Sequence, residues 1–165
     1  MILGRSFWPI RLALDADLQP LAHLWHDGWH EAHAAYALPE ITAYRTLDRF
    51  VTRVAALGDH LRTAGPVGEP LGLCVTDGDY VDQLYASPLA RGTGLAAALL
   101  SDGEARLSAS GVTTARLNCA EQNTRARRFY TRQGWVDRGT EELIVDVGET
   151  AVPISIIRFT KSLSG

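Results

Sequence analysis

The chain has 165 residues, room for one domain (1–165) with a single substantial core. A composition of 46% hydrophobic and 21% charged residues excludes the disordered and fibrous classes. A net charge of −3 supplies no overall field for nucleic acid or for an anionic membrane surface, so neither is expected as a partner.

The N-terminal segment interrupts its apolar run with Arg5 and Pro9 and has no signal-peptide core. No stretch approaches the roughly 20 apolar residues of a membrane span. With only Cys74 and Cys119, far apart in strand-like runs, free buried thiols in a reduced compartment are expected, hence a cytoplasmic location.

In chain order, Ile10 to Leu14 reads as a strand. Asp15 or Asp17 then caps a helix running towards Tyr36, with Pro20 in its first turn. Leu38-Pro39-Glu40 breaks it. Leu47, Phe50, Val51, Val54 and Leu57, at three- and four-residue spacing, predict a second helix over about Thr42 to Leu57, stopped by Gly58. Strands follow at His60 to Thr63, Leu71 to Thr76 and Tyr80 to Ala86, separated by a Gly/Pro-rich turn and by Asp77-Gly78-Asp79.

Leu95, Leu99, Leu100 and Leu107 then share one face of a helix reaching about Ser110, with the small residues Ala96 and Gly103 in its middle allowing close approach to a sheet. Ala115 to Ala120 is a strand, and Asn123 caps a helix that Gly134 closes. Strands at Glu142 to Val147 and Val152 to Thr160 complete the chain. The order β-α-α-β-β-β-α-β-α-β-β implies a mixed sheet with helices on both faces, an α/β or α+β sandwich.

Chemistry concentrates where Tyr80 to Ala86 gives way to Arg91-Gly92-Thr93-Gly94-Leu95-Ala96 and then a helix. Unpaired amides at a helix start, with the positive end of its dipole, bind anions, and glycines let a ligand approach the backbone. A nucleoside-triphosphate loop would require a lysine after the glycine, and Leu95 stands there. Gly92-Thr93-Gly94-Leu95-Ala96-Ala97 does fit the dinucleotide pattern G-x-G-x-x-A, with Glu121 as its acid. Ser87 to Arg91 nevertheless separate the strand from the first glycine, and only one crossover follows.

The segment matches Arg/Gln-x-x-Gly-x-Gly/Ala and so resembles the pyrophosphate loop of the GNAT superfamily of acyl-CoA-dependent N-acyltransferases. Val81-Asp82-Gln83-Leu84-Tyr85-Ala86 before it, and Asn118 with Asn123-x-x-Ala126-x-x-Phe129-Tyr130-x-x-x-Gly134-Trp135 after it, are similar to that family's other signatures. Ala96 stands where many members have Gly, and Trp135 where Phe is commoner.

The resemblance implies a mostly antiparallel central sheet and acetyl-CoA as co-substrate. The amides of Arg91, Gly92, Thr93, Gly94, Leu95 and Ala96 would hold the pyrophosphate. The backbone of Leu84, Tyr85 and Ala86 would pair with the pantetheine arm, helped by a bulge, and Asn123 would contact that arm. Tyr130 would protonate the departing thiolate: a phenol near pKa 10 remains protonated at neutral pH, close to a thiol near 8.5. Asp82 is a candidate base, with a water chain as the alternative.

His23, His26, His30 and His33 share one helix face, but His30-Glu31-Ala32-His33 is one residue short of H-E-x-x-H, and no metal is expected. By resemblance Trp29, His30, His33 and Tyr36 would shape the pocket for a small-molecule or peptide amine. A solvated histidine face is the competing reading. One of Arg125, Arg127, Arg128 and Arg132 would reach the nucleotide phosphates. The resemblance also leaves a homodimer open, and the residues alone leave open a non-catalytic CoA-binding module or an NAD(P)-binding protein.

Overall fold

The computed structural model describes residues 8–164; of the N-terminal segment read above, residues 1–7, Arg5 among them, lie outside the described residues. Among the described residues seven strands form one sheet in the order β1-β2-β3-β4-β5-β7-β6. They are β1 (Arg11–Leu12), β2 (Leu61–Ala64), β3 (Gly72–Asp77), β4 (Tyr80–Ala86), β5 (Thr114–Ala120), β6 (Val136–Asp146) and β7 (Ala151–Ser162). Every neighbouring pair is antiparallel except β4 and β5, which are parallel and meet at a single register pair, Tyr80 with Arg116.

The helices are α1 (Asp15–His33), α2 (Pro39–Tyr44), α3 (Leu47–Ala56), α4 (Leu95–Ala109) and α5 (Thr124–Arg132). They cover both faces of the sheet and create two cores. Leu21, Trp25, Phe50, Val54, Leu61, Leu73 and Val75 bring α1 and α3 onto one face. Leu99, Leu100 and Leu107 of α4 and Tyr130 of α5 pack on the other, against Ala115, Leu117, Trp135 and Phe159. Residues alternate across a strand, so Leu73 and Val75 join the first core while Cys74 between them joins the second; β3 is therefore buried almost end to end. Gly103 provides the close approach expected of it, since a Cβ there would sit 2.9 Å from the Cys74 sulfur.

The mixed, mostly antiparallel sheet with helices on both faces is as expected, but several boundaries move. The first strand contracts to Arg11–Leu12. Leu14, not an aspartate, occupies the N-cap of α1, so Pro20 falls in the second turn, and α1 ends at His33, short of Tyr36. The single helix expected over 42–57 is two. Pro39 stands at the first position of α2, where its missing N–H costs nothing. Arg45 then leaves helical geometry at ψ 60°, and Thr46 is extended before α3 begins. β6 starts near Val136 rather than Glu142, because Gly139, at φ 94°, permits a bulge through which pairing with β7 continues. No described helix is long and apolar enough to cross a membrane.

Asp17 is fully buried and joins three segments. Its carboxylate accepts from Arg11 at 2.7 and 3.1 Å, from the Leu14 amide at 2.8 Å and from the Gly68 amide at 2.9 Å. The Arg11 hydrogen bonds lead in lowering its pKa, from an ordinary 3.8 to about 2, against a desolvation cost. A depressed carboxylate stabilises the fold above its unfolded pKa and loses that contribution as pH falls through the folded value. Asp17→Asn is therefore expected to cost about 3 kcal/mol at neutral pH, as removal of one partner from a buried pair does. Denaturant titrations should show the gap between variant and wild type closing between about pH 4 and about pH 2.

Candidate functional site

The parallel pair β4 and β5 sets up the site. β3 occupies one edge of β4, and β7 the far edge of β5, but beyond Tyr80 the facing edges of β4 and β5 form no ladder. A bulge lies within β4: Val75 pairs with Gln83 and Thr76 with Val81, so Asp82 is the extra residue. The bulge bends β4 away from β5, and the backbone of Leu84 to Ala86 is left with an open edge.

Three cavities meet along this gap. The first, about 620 Å³, runs between the glycine loop and α5 and is lined by Leu84, Tyr85, Ala86, Arg91, Gly92, Gly94, Leu95, Ala96, Asn123, Phe129 and Tyr130. The second, about 470 Å³, opens under α1 and α2 and is lined by Trp29, His33, Tyr36, Arg45, Arg53 and Asp82 among others. A third of about 90 Å³ sits between them in the split sheet, bounded by His33, Asp82, Leu84, Tyr85, Asn118, Cys119, Asn123 and Tyr130. Its lining is shared with both larger cavities, and it forms their junction.

Gly92 and Gly94 adopt φ of 75° and 84°, the left-handed region that side chains avoid. A Cβ at either would meet nothing within 4 Å, so the backbone there is exposed to the cavity. Not all six amides expected to grip an anion are free. Arg91 N donates to Pro88 O, Thr93 N to Ala90 O, and Leu95 N to the Thr93 hydroxyl, which holds the turn together and does not line the cavity. The amides of Gly92, Gly94, Ala96 and Ala97 remain, the last two at the N-terminus of α4. The Arg91 guanidinium pairs with Glu31 of α1 across the mouth of the cavity.

Asn123 caps α5 through Oδ1, which accepts from the Ala126 amide at 3.2 Å, and still borders both the loop cavity and the junction. Tyr130 packs against Phe129, Trp135 and Phe159, and burial pushes its phenol far above the ordinary value, so it stays protonated at any working pH. The Tyr85 ring lies over Gly28 of α1, where a Cβ would come within 2.7 Å of it. Desolvation raises the Asp82 carboxyl, with Arg53 acting against the rise. Of the arginines on α5, Arg125 and Arg132 line the loop cavity, while Arg127 turns to Asp137.

The histidine face divides: His23 is exposed and the His26 contact is at the surface, whereas His30 and His33 are engaged internally. His26 pairs with Asp27, His30 Nε2 bonds Arg45 O at 2.8 Å, and His33 Nδ1 donates to Trp29 O at 2.9 Å. Trp29, His33 and Tyr36 do line the second cavity, but His30 does not; it ties α1 to the break between α2 and α3. Burial lowers the His33 pKa, and its Nδ1–H leaves Nε2 as the basic nitrogen. Among the described residues no group of three or more His, Cys, Asp or Glu could hold a metal ion.

Cys119, one of the two buried thiols, lines the junction. Burial raises its thiol to about 11 and that of Cys74 to about 12, so neither is a ready nucleophile, and both are free. Arg45 and Arg53, which line the second cavity, were not anticipated from the sequence, and Glu121, singled out there only as the acid of a dinucleotide pattern, lines it too. The recurrence of Arg45, Arg49 and Arg53 every four residues was the available signal.

An open-edged strand leading into a glycine turn with unpaired amides, beside a split parallel pair, is an arrangement able to receive an extended ligand that bears an anionic group. The sequence profile of the acetyltransferase (GNAT) domain matches residues 47–156, more than half of the chain. The chain belongs to this family of acetyltransferases. It is 34% identical over 89 residues to the peptidyl-lysine N-acetyltransferase YjaB of Salmonella typhimurium, a match covering 54% of this chain and a little over half, 57%, of that protein. Its fold is similar to a GCN5-related N-acetyltransferase from Rhodopseudomonas palustris (TM-score 0.74, 19% identity, 95% of this chain and 96% of the other). YncA from Salmonella typhimurium, solved with acetyl-CoA, gives a TM-score of 0.69 at 18% identity, over 97% and 96% of the two chains. The mostly antiparallel sheet, in which β4 and β5 are the one parallel neighbouring pair among the described strands, lacks the doubly wound framework that a dinucleotide site would need.

Proposed function

We propose that the chain transfers the acetyl group of acetyl-CoA to a primary amine by direct attack, in the cytoplasm. The observation that carries this is the junction: two large cavities, one with free amides at a helix N-terminus, meet through the gap between β4 and β5. The pyrophosphate rests on the amides of Gly92, Gly94, Ala96 and Ala97. The pantetheine arm completes the open edge of β4 at Leu84 to Ala86, with Asn123 beside it, as a peptide adds to a sheet edge. The thioester then lies at the junction, and the amine approaches from the second cavity.

The amine lone pair attacks the thioester carbon, a C–N bond forms, and charge gathers on the oxygen near a β4 amide. The C–S bond breaks, and Tyr130 donates its proton to the sulfur. The amine's proton leaves to Asp82 or His33, the two proton acceptors that line the junction. The buried, protonated thiol of Cys119 supports direct transfer over an acetyl-cysteine intermediate.

Incubation with acetyl-CoA and a panel of primary amines is expected to release free CoA thiol only when an accepted amine is present, one thiol per acetylated product. Tight binding of acetyl-CoA without thiol release from any amine would instead make the chain a CoA-binding module.

A further inference from the structure

The wall of the second cavity carries two guanidiniums, Arg45 and Arg53, and aromatic rings hold them where an acid would be expected. Arg53 Cζ lies 4.3 Å from the Trp25 ring centroid and Arg45 Cζ 5.8 Å from that of Trp29. Arg11, Arg91, Arg106, Arg116, Arg127 and Arg158 find carboxylates; of the other described arginines, Arg49, Arg62, Arg125, Arg128, Arg132 and Arg138 lie outside this cavity, and only Arg45 and Arg53 line it. Arg45 and Arg53 form no such pair among the described residues.

Two polar atoms of this wall are also buried without a hydrogen-bond partner among the described residues, Arg45 Nε and the Tyr36 hydroxyl. Buried donors are ordinarily satisfied, and charged ones most of all, so an unmet pair bordering one cavity points to a ligand acceptor. Burial lowers the pKa of both guanidiniums; the Asp82 charge reaches Arg53, whereas no carboxylate is among the charges acting on Arg45.

The opposite sign lies elsewhere in the same cavity. Asp82 and Glu121 line it, and Asp82 also borders the junction, which Arg45, Arg53 and Tyr36 do not reach. A ligand spanning the cavity would meet acid at the reacting end and cations with a phenol away from it. Leu143, Val145, Pro153, Ile154 and Ile156 make the remaining wall apolar.

We propose that the acceptor is a small primary amine that itself bears a carboxylate, of amino-acid type, with the carboxylate on Arg45, Arg53 and Tyr36 and the amine at Asp82. This assigns the acceptor class of the acetyl transfer proposed above and rests on that reading. An internal lysine of a protein offers no carboxylate at this position and leaves the guanidiniums unmet.

Matched amines that differ only in the carboxylate provide the test: L-phenylalanine against 2-phenylethylamine and 6-aminohexanoate against hexylamine, with an end-blocked lysine peptide as a third arm. Thiol release should give, in at least one pair, a kcat/KM roughly ten- to a hundredfold higher for the carboxylated member, the worth of a charge-assisted hydrogen bond. In Arg45→Gln and Arg53→Gln that preference should collapse, chiefly through KM for the carboxylated amine. Acetyl-CoA titration and circular dichroism establish that each variant is folded.

Equal rates within both pairs, a blocked lysine peptide surpassing every carboxylated amine, or a preference that survives in both arginine variants would overturn the inference while leaving acetyl transfer standing. Acetyl-CoA binding with no thiol release from any amine would overturn both.

Discussion

Replacing Tyr130 by Phe is expected to lower kcat by about 10² to 10⁴ while the affinity for acetyl-CoA changes less than about threefold, because a positioned general acid supplies that much of the rate. The ring packs against Phe129, Trp135 and Phe159, and Phe retains all three contacts. The side chain lines both the loop cavity and the junction, where the proposed mechanism has the thiolate leave. Burial raises the phenol, so the group enters the reaction carrying its proton and yields it only as negative charge builds on the sulfur. Steady-state kinetics alongside acetyl-CoA titration separates the two effects. An unchanged kcat would remove Tyr130 from the chemistry and leave it a packing residue.

Gly94→Val should weaken acetyl-CoA binding at least about tenfold, equivalent to one lost charge-assisted hydrogen bond. A β-branched residue does not tolerate φ of 84°, so the turn must rearrange, and with it the free amides at the start of α4. The core is spared, since a Cβ at Gly94 meets no atom within 4 Å. Calorimetric titration with acetyl-CoA should therefore register the loss, while the thermal midpoint falls only by the local strain. Wild-type affinity in this variant would show that the pyrophosphate does not rest on this turn.

Most of the loop side of the site was legible because its signals are local. Gly92, Gly94 and Leu95 mark a strand-to-helix turn whatever surrounds them, and the spacing from Asn123 to Tyr130 places the cap and the phenol on one short helix. Two local readings still failed in detail. The amides of Arg91, Thr93 and Leu95 are spent inside the turn, and nothing in the residue types distinguishes a donor used for closure from one left for a ligand. The helix expected over 42–57 is divided at Arg45 and Thr46, where His30 from α1 bonds the Arg45 carbonyl and favours the break.

The acceptor side was far less readable. Trp29, His33 and Tyr36 come from α1 and the turn after it, Arg45 from the helix break, Arg53 from the last turn of α3, Asp82 from a bulge, and Ile154 and Ile156 from the last strand. Sequence patterning predicts that such residues are buried or exposed, but it does not state which of them share a wall.

By itself, the order of residues determined the helical and strand periods, the glycine turn, the cap of α5 and the family, since each depends on neighbours a few positions apart. Tertiary structure alone decided that β4 and β5 run parallel yet separate, that Asp82 bulges, that His30 turns from the cavity while Arg45 and Arg53 border it unpaired, and that Cys119 reaches the junction. Those features depend on which edges and faces the folded sheet leaves without partners, a property of long-range pairing and desolvation that no local stretch contains.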